Sequence, residues 1–162
     1  MISLPLEAAA LFPVSWAGEE ASAGWFDIGR EFTEQFHHQM QIRDAVGAAP
    51  LHDPAWLRAF LLISIRGLPH AYRHTAADPG TTVTLEVTGS SSGVWTLRRD
   101  GDTWSLWAGA AERPTTTIVL SDDTAWRLLF NALTPAQASE RIRTSGDPAL
   151  AAPLVQARSV IV

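Results

Sequence analysis

The sequence has no cysteine, little positive charge and no long apolar run, and each of these absences excludes a class of protein. Without cysteine in its 162 residues, the chain has neither disulfides nor a thiol nucleophile, so any thiol chemistry needs a thiol from a cofactor. A formal net charge of −5 leaves no basic field for a phosphate backbone, which argues against nucleic-acid binding. The longest apolar stretch, residues 59–65, is too short to cross a membrane.

The first residues also lack the features of a targeting signal. No basic region precedes the apolar residues there, and Pro5 and Pro13 interrupt them, which argues against a secretory signal peptide. With 46% hydrophobic residues, the chain has enough apolar side chains for a sizeable core. These features predict a soluble cytoplasmic protein with no nucleic-acid or membrane partner.

A long amphipathic helix is predicted over residues 22–46. This segment contains no proline, begins at the potential N-cap Ser22 and is followed by Gly47, a residue typical of helix C-termini. Apolar residues recur along one face at helical spacing. They are Trp25, Ile28, Phe32, Phe36 and Met40.

A second helix is predicted after this one. Asp53 and Pro54 are residue types preferred at the N-cap and the first helical position, and Gly67 and Pro69 weaken or end the helix. Upstream of the long helix, the prolines allow at most one short helix, around residues 7–11.

After residue 77 the pattern changes to that of strands. Val83, Leu85 and Val87 alternate with polar residues, the period of a half-buried strand. Further strands are predicted at 94–99, 103–108, 115–120 and 142–145, and helices after the N-cap residues Ser121, Thr134 and Asp147. The fold class is therefore α+β, in which long N-terminal helices precede an antiparallel sheet covered on one face by helices.

Two side chains on the long helix form a candidate metal site. Glu34 and His38 lie four residues apart, so they share a helix face and converge. A carboxylate and an imidazole suit zinc or another divalent ion when further donors join them. The alternative is a solvated pair on a polar face, and the spacing alone favours that alternative.

The sequence around this pair resembles the last bundle helix of the mycothiol-dependent maleylpyruvate isomerase family and of DinB-like metalloproteins. Residues 34–47 contain Glu-x-x-x-His, a later Ile-Arg and an Ala-x-Gly ending. The resemblance implies that Glu34 and His38 are two of three protein ligands of a divalent metal, zinc above all, with mycothiol as the thiol cofactor.

This sequence departs from the family pattern at two points. Gln41 stands where the family has an aspartate, and the family's remaining histidine ligand comes from an earlier bundle helix. A third ligand would come from another subunit, from another histidine of this chain, or not at all.

The other histidines are weaker candidates. His37 is held in reserve, because it points about 100° away from His38 on the helix, a direction that favours packing or the surface. His70 and His74 also have helical spacing, but they lie at a fraying helix end, where polar side chains commonly cap carbonyls. His52 is predicted in a loop.

From residue 82 onward the chain resembles the C-terminal domain of the same family, which is similar to sterol carrier protein 2. The shared features are the strand at 83–87, Gly-x-Trp-Thr-Leu at 93–97, an Asp-Gly hairpin, residues 117–122 leading into a helix, and a late Ser-Gly-Asp. The resemblances divide the chain into a lead-in and last DinB-like helix (1–49), a linking helix (50–80) and a sterol-carrier-like domain (81–162).

Aromatic and basic residues of the C-terminal half each allow two interpretations. Four tryptophans either form core or line an apolar pocket between sheet and helices: Trp95, Trp104, Trp107 and Trp126. Four arginines are either surface residues or candidates to bind a substrate carboxylate: Arg98, Arg99, Arg141 and Arg143.

Two functions are considered for this chain. The resemblance implies the first, a metal-assisted, thiol-dependent isomerase or transferase acting on a small acid, in which the metal activates the cofactor thiol. The alternative is a non-catalytic sterol-carrier-like binding or dimerisation module with a lost metal site. Since the apolar stripe of the long helix must be buried, we expect a homodimer in which Phe32, Phe36 and Met40 pack on their copies or on the Trp56 helix.

Overall fold

The computed structural model describes residues 8–51 and 53–157, and it confirms the α+β class. The helices are α1 (Trp25–Ala45), α2 (Pro54–Ser64), α3 (Leu68–Ala71), α4 (Asp122–Leu129), α5 (Pro135–Arg141) and α6 (Ala152–Val155). The strands are β1 (Thr82–Thr88), β2 (Gly93–Asp100), β3 (Thr103–Ala108), β4 (Thr116–Ser121) and β5 (Arg143–Gly146). Within the described residues, no helix is both long and apolar enough to span a membrane.

The sheet is mixed, which corrects the prediction of a purely antiparallel sheet. Its order is β3-β2-β1-β4-β5, and β4 pairs with β1 in parallel, whereas the other three pairings are antiparallel. Hairpin signals in the sequence determine β1–β2 and β2–β3 only. After β3 the chain crosses over the sheet instead of turning back, so β4 runs in the direction of β1.

The start of α1 differs from the prediction, whereas its end agrees. The helix begins at Trp25, because the Ser22 hydroxyl is engaged elsewhere: it accepts a hydrogen bond from the Val14 amide (2.9 Å) and donates one to Glu19. Gly47 has a left-handed φ of 65° just after the helix, as expected of a C-terminal glycine.

The lead-in adopts no helix over residues 8–11. Instead, Ala9 forms an isolated bridge with Ala23, so the lead-in lies against the start of α1. Glu7 and His52, which also carried predictions, lie outside the described residues.

The remaining helix starts agree with their predicted N-caps. The Asp53 carboxylate accepts from the Ala55 amide at 2.8 Å, and the Ser121 hydroxyl accepts from the Thr124 amide at 3.1 Å. Thr134 forms a capping box with Gln137. Each cap satisfies a backbone donor that a helix start otherwise leaves without a partner.

One hydrophobic core joins the helices to one face of the sheet. The core includes the alternating β1 side chains Val83, Leu85 and Val87, as predicted. At its centre Phe60 of α2 stacks on Phe36 of α1 and Phe130, with ring centroids 5.3 and 4.6 Å apart. The core therefore includes residues from all three predicted segments, and the boundaries at 49 and 80 stay predictions.

The apolar stripe of α1 faces this core only at its C-terminal end. Phe36 and Met40 are buried, whereas Ile28 is 49% exposed. A four-residue repeat advances by about 40° per step around a helix of 3.6 residues per turn, so the stripe spirals away from the core. Its middle residue, Phe32, packs on the edge of the core and also contacts Trp56 of α2, with ring centroids 6.2 Å apart.

Candidate functional site

The centre of the space between the sheet and the helices is filled by side chains. A cavity of about 10 Å³ remains there, among apolar residues that include Leu61, Leu85 and Leu128. Such a volume is at the lower limit for one water molecule. Among the described residues, the centre of this interface therefore has no room for a lipid, which favours the interpretation of these tryptophans as core.

Three of the four tryptophans belong to the core, which explains part of this filling. Trp95, Trp104 and Trp126 are buried, whereas Trp107 is 57% exposed. Trp104 and Leu106, two residues apart on β3, both point toward the helices. Trp107 follows Leu106 directly, so its side chain points to the opposite face of the sheet. Strand alternation alone could have predicted this exception.

An open cleft of about 690 Å³ lies between α1 and α2; we call it the α1–α2 cleft. Four apolar residues line it: Phe32, Phe36, Leu51 and Trp56. Polar lining residues are Gln35, His38 and Gln39. Trp56 is 52% exposed, so a large aromatic surface faces this opening.

The cleft arises from local features of the two helices. The capped start of α2 fixes the position of Trp56 two residues beyond Pro54. Leu51, in the connecting loop, is held by its amide, which donates to the Met40 sulfur at 3.4 Å. The spiral of the α1 stripe leaves Phe32 at the opening, while Phe36 forms the floor against Phe60.

Glu34 and His38 converge as their spacing predicts, at the edge of this cleft. The His38 Nε2 lies 3.8 Å from the Glu34 Oε2, and its Nδ1 lies 3.1 Å from the Gln41 side-chain oxygen. Gln41 thus orients the imidazole with an amide, at the position where the resemblance implies a carboxylate.

These two donors do not fit a metal ion on their own. Across residues 8–51 and 53–157, no group of three or more histidine, aspartate, glutamate or cysteine side chains is placed to hold a metal. Because zinc sites in proteins use three or four protein ligands, the metal prediction requires donors from beyond these residues, and it stays a prediction.

The reserve candidate His37 packs into the core. Its ring stacks on Phe130, with centroids 4.1 Å apart and planes 5° from parallel, and neither ring nitrogen has a hydrogen-bond partner in the part of the chain that the structure describes. The pKa of His37 is lowered, mainly by burial of the ring. The charge of Glu34 raises this pKa, and His38 lowers it further. The neutral imidazole acts here as an aromatic packing group.

The remaining sequence candidates do not assemble into one site. The helix α3 ends at Ala71, so His70 and His74 do not share a helix. Three of the four arginines pair with acidic neighbours: Arg98 with Asp100, Arg99 with Asp102, and Arg141 with Asp123. Arg143 is exposed on the edge strand β5.

Arg127 has a role that no local pattern in the sequence indicates. This residue of α4 pairs with Asp44 at the end of α1 and with Asp123 one turn earlier on α4, and the hydrogen bond from Arg127 lowers the pKa of Asp44. The pair joins residues 83 apart in the chain, a separation at which no local pattern predicts contact. It fastens the end of α1, and hence one side of the α1–α2 cleft, to the sheet-covering helices.

Solved structures similar to this chain include several sterol carrier proteins. Sterol carrier protein 2 like 2 from Aedes aegypti is 17% identical, over 59% of this chain and 97% of its own, with a TM-score of 0.42. Sterol carrier protein domain 2 of Helicoverpa armigera is 19% identical, over 61% and 84%, with a TM-score of 0.44. Sterol carrier protein 2 from Yarrowia lipolytica, in the apo form, is 15% identical, over 84% and 91%, with a TM-score of 0.37.

No protein-family model matches the sequence, and no curated protein matches it. The structural likeness concerns the arrangement of strands and helices alone, and it carries no information about a ligand. It agrees with the sterol-carrier-like part of the resemblance seen in the sequence. The maleylpyruvate isomerase and DinB-like part has no support from these comparisons.

Proposed function

We propose that this chain is a non-catalytic binding module that takes an apolar ligand with an uncharged polar head into the α1–α2 cleft. The observation that carries the proposal is the contrast between two places in the fold. The centre of the interface between sheet and helices is filled, with about 10 Å³ left, and about 260 Å³ is open at its β5 edge. The α1–α2 cleft offers about 690 Å³ with aromatic walls.

The size and lining of the cleft suit a small hydrophobic ligand. Ligand sites commonly enclose about 300–1,000 Å³ and combine apolar walls with a few polar groups. Phe32 and Trp56 meet edge to face at the opening, so an alkyl chain or flat ring covers both. Burial of the half-exposed Trp56 ring would add a hydrophobic gain of about 25 cal/mol per Å² covered.

The polar groups of the cleft favour a head group without charge. Gln35 and Gln39 offer neutral donors and acceptors one turn apart on α1. The carboxylate of Glu34 lies 3.8 Å from His38 at the edge of the cleft, and this charge repels an anionic head. A hydroxyl head group is therefore preferred to a carboxylate on the same chain.

The proposal is tested by calorimetric titration with 1-decanol and decanoate, which differ only in the head group. We expect micromolar binding of 1-decanol and binding of decanoate weaker by about tenfold, or 1.4 kcal/mol. Trp56→Ala should weaken 1-decanol binding by at least about tenfold, because it removes the largest wall of the cleft. The matched control is Leu62→Ala, because Leu62 is a similarly exposed residue of α2 that does not line the cleft. This variant should bind 1-decanol as tightly as the unaltered chain does.

Two results would overturn the proposal. One is equal binding of 1-decanol to the unaltered chain and to Trp56→Ala. The other is a dimer in sedimentation equilibrium that Trp56→Ala converts to monomer, with no 1-decanol binding by either protein. The second result would assign the cleft to the homodimer contact that the apolar stripe predicts.

A metal- and thiol-dependent isomerase or transferase is the second candidate. It is favoured by the convergence of Glu34 and His38 to 3.8 Å at the edge of the cleft, and it needs further donors, which a second subunit would supply. We expect zinc that survives dialysis and is lost in both Glu34→Ala and His38→Ala, as measured by elemental analysis, with isomerase turnover only when mycothiol is added. Zinc-free protein whose stability is unchanged in both variants would contradict this candidate.

A further inference from the structure

We propose a second binding site, on the face of the sheet that the helices leave open, for a flat ligand that carries a carboxylate. A pocket of about 390 Å³ lies on this face; we call it the sheet-face pocket. Its lining includes Thr82, Thr96, Arg98, Trp107 and the small residues 108–111. None of these residues lines the α1–α2 cleft.

Strand register builds the floor of this pocket. Arg98 on β2 lies between Thr82 on β1 and Ser105 on β3, and Thr96 lies beside Trp107. These side chains share a face because alternate residues of a strand point the same way. The residues between them, such as Leu97, are buried on the helix side.

The crossover that makes the sheet mixed also forms one wall of the pocket. The Thr96 hydroxyl donates to the Gly109 carbonyl at 2.8 Å, and the Ala111 amide donates to the Thr84 hydroxyl at 3.4 Å. The chain after β3 is thereby held over the sheet. Its small side chains leave room for a planar group beside Trp107.

Two hydrogen bonds and an ion pair connect the two recognition groups. The Trp107 Nε1 donates to the Ser105 hydroxyl (2.9 Å), and this hydroxyl donates to one oxygen of Asp100. The other Asp100 oxygen lies 3.0 Å from the Arg98 Nε. The indole and the guanidinium are therefore fixed by the same carboxylate.

This arrangement leaves the ligand-binding parts of both groups open. Asp100 approaches Arg98 at Nε, the Arg98 side chain is 56% exposed, and Trp107 is 57% exposed. Two terminal N–H groups match the two oxygens of a carboxylate, and an indole face stacks on a flat ring. Since Asp100 offsets part of the charge of Arg98, the paired N–H groups, which need two acceptor oxygens, favour a carboxylate over a neutral amide.

The test uses 2-naphthoate and 2-naphthamide, which have the same ring and differ in charge. Binding is followed on the indole N–H resonance of Trp107, assigned from its disappearance in Trp107→Phe. We expect 2-naphthoate to shift this resonance with a dissociation constant below 1 mM, near the lower limit of useful affinity (about −4 kcal/mol). The amide should bind at least about tenfold more weakly.

Variants separate this site from the α1–α2 cleft. Arg98→Gln should weaken 2-naphthoate binding by at least about tenfold. Arg143→Gln, which removes an exposed arginine from the other edge of the sheet, and Trp56→Ala should leave it unchanged. Because Arg98 and Trp107 are exposed, their variants should have the same melting temperature as the unaltered chain. A loss of binding in these variants then does not reflect unfolding.

The proposal is overturned if 2-naphthoate leaves the Trp107 resonance unmoved at millimolar concentration. It is also overturned if 2-naphthoate and 2-naphthamide bind equally and Arg98→Gln changes neither, since the guanidinium would then take no part. Both outcomes are independent of the 1-decanol titration, so this site and the proposed function succeed or fail separately.

Discussion

Replacement of Phe60 by alanine is expected to lower the free energy of unfolding by about 3–5 kcal/mol. The side chain is 0% exposed and stacks on both Phe36 and Phe130. Its removal leaves a cavity where α1, α2 and the end of α4 meet, and the aromatic contacts are lost with the buried area. Urea unfolding followed by circular dichroism measures the change.

Leu62→Ala is the control for this prediction, since Leu62 lies on the same helix but is 47% exposed. We expect it to change the free energy of unfolding by less than about 1 kcal/mol. Equal losses in Phe60→Ala and Leu62→Ala would contradict a core that includes the N-terminal helices.

Gly146→Ala is expected to have the second largest effect on stability. Gly146 ends β5 with a φ of +99°, and an added Cβ would lie 2.2 Å from the Thr115 carbonyl oxygen. The backbone conformation alone costs a residue with a side chain about 1–3 kcal/mol, and the contact with backbone adds to this cost because neither atom can move independently. The variant should lose stability in urea and fray the pairing of β5 with β4.

Gly80→Ala separates these two contributions. Gly80 has a similar φ of +88°, yet nothing lies within 4 Å of an added Cβ. We expect Gly80→Ala to show the conformational cost alone and Gly146→Ala to exceed it. A loss in Gly146→Ala no greater than that in Gly80→Ala would contradict the close approach of β5 to the chain before β4.

Much of the fold was predictable because its signals are local. Asp53, Ser121 and Thr134 mark helix starts with hydrogen bonds that span two or three residues, and the apolar alternation of β1 marks its buried face. A cap or a two-residue period is a property of a short segment, so it is visible before any tertiary contact forms.

Features that depend on distant contacts were not predictable in the same way. The parallel pairing of β4 with β1 depends on which strand the chain reaches after it crosses the sheet from β3, and no turn signal in the sequence specifies this strand. Ser22 has the right chemistry for an N-cap but bonds to Val14 instead. The pair of Arg127 and Asp44 joins α4 to α1 only after the helices have packed.

In the candidate site, too, local features were predictable and features that depend on distant contacts were not. The sequence placed Phe32 and Trp56 on two successive helices and placed Glu34 and His38 on one face, and these positions agree with the structure. It did not predict the opening between the helices, because that depends on how far the stripe of α1 spirals from the core. It also allowed a pocket under the sheet-covering helices, which the core side chains fill.

An isotope-filtered NOE experiment between labelled protein and unlabelled 1-decanol tests most directly which of these two spaces receives a ligand. If the α1–α2 cleft is the binding site, the methylene protons of 1-decanol give cross-peaks to Phe32, Leu51 and Trp56. Cross-peaks instead to Leu85 and Leu128, between the sheet and the helices, would contradict it.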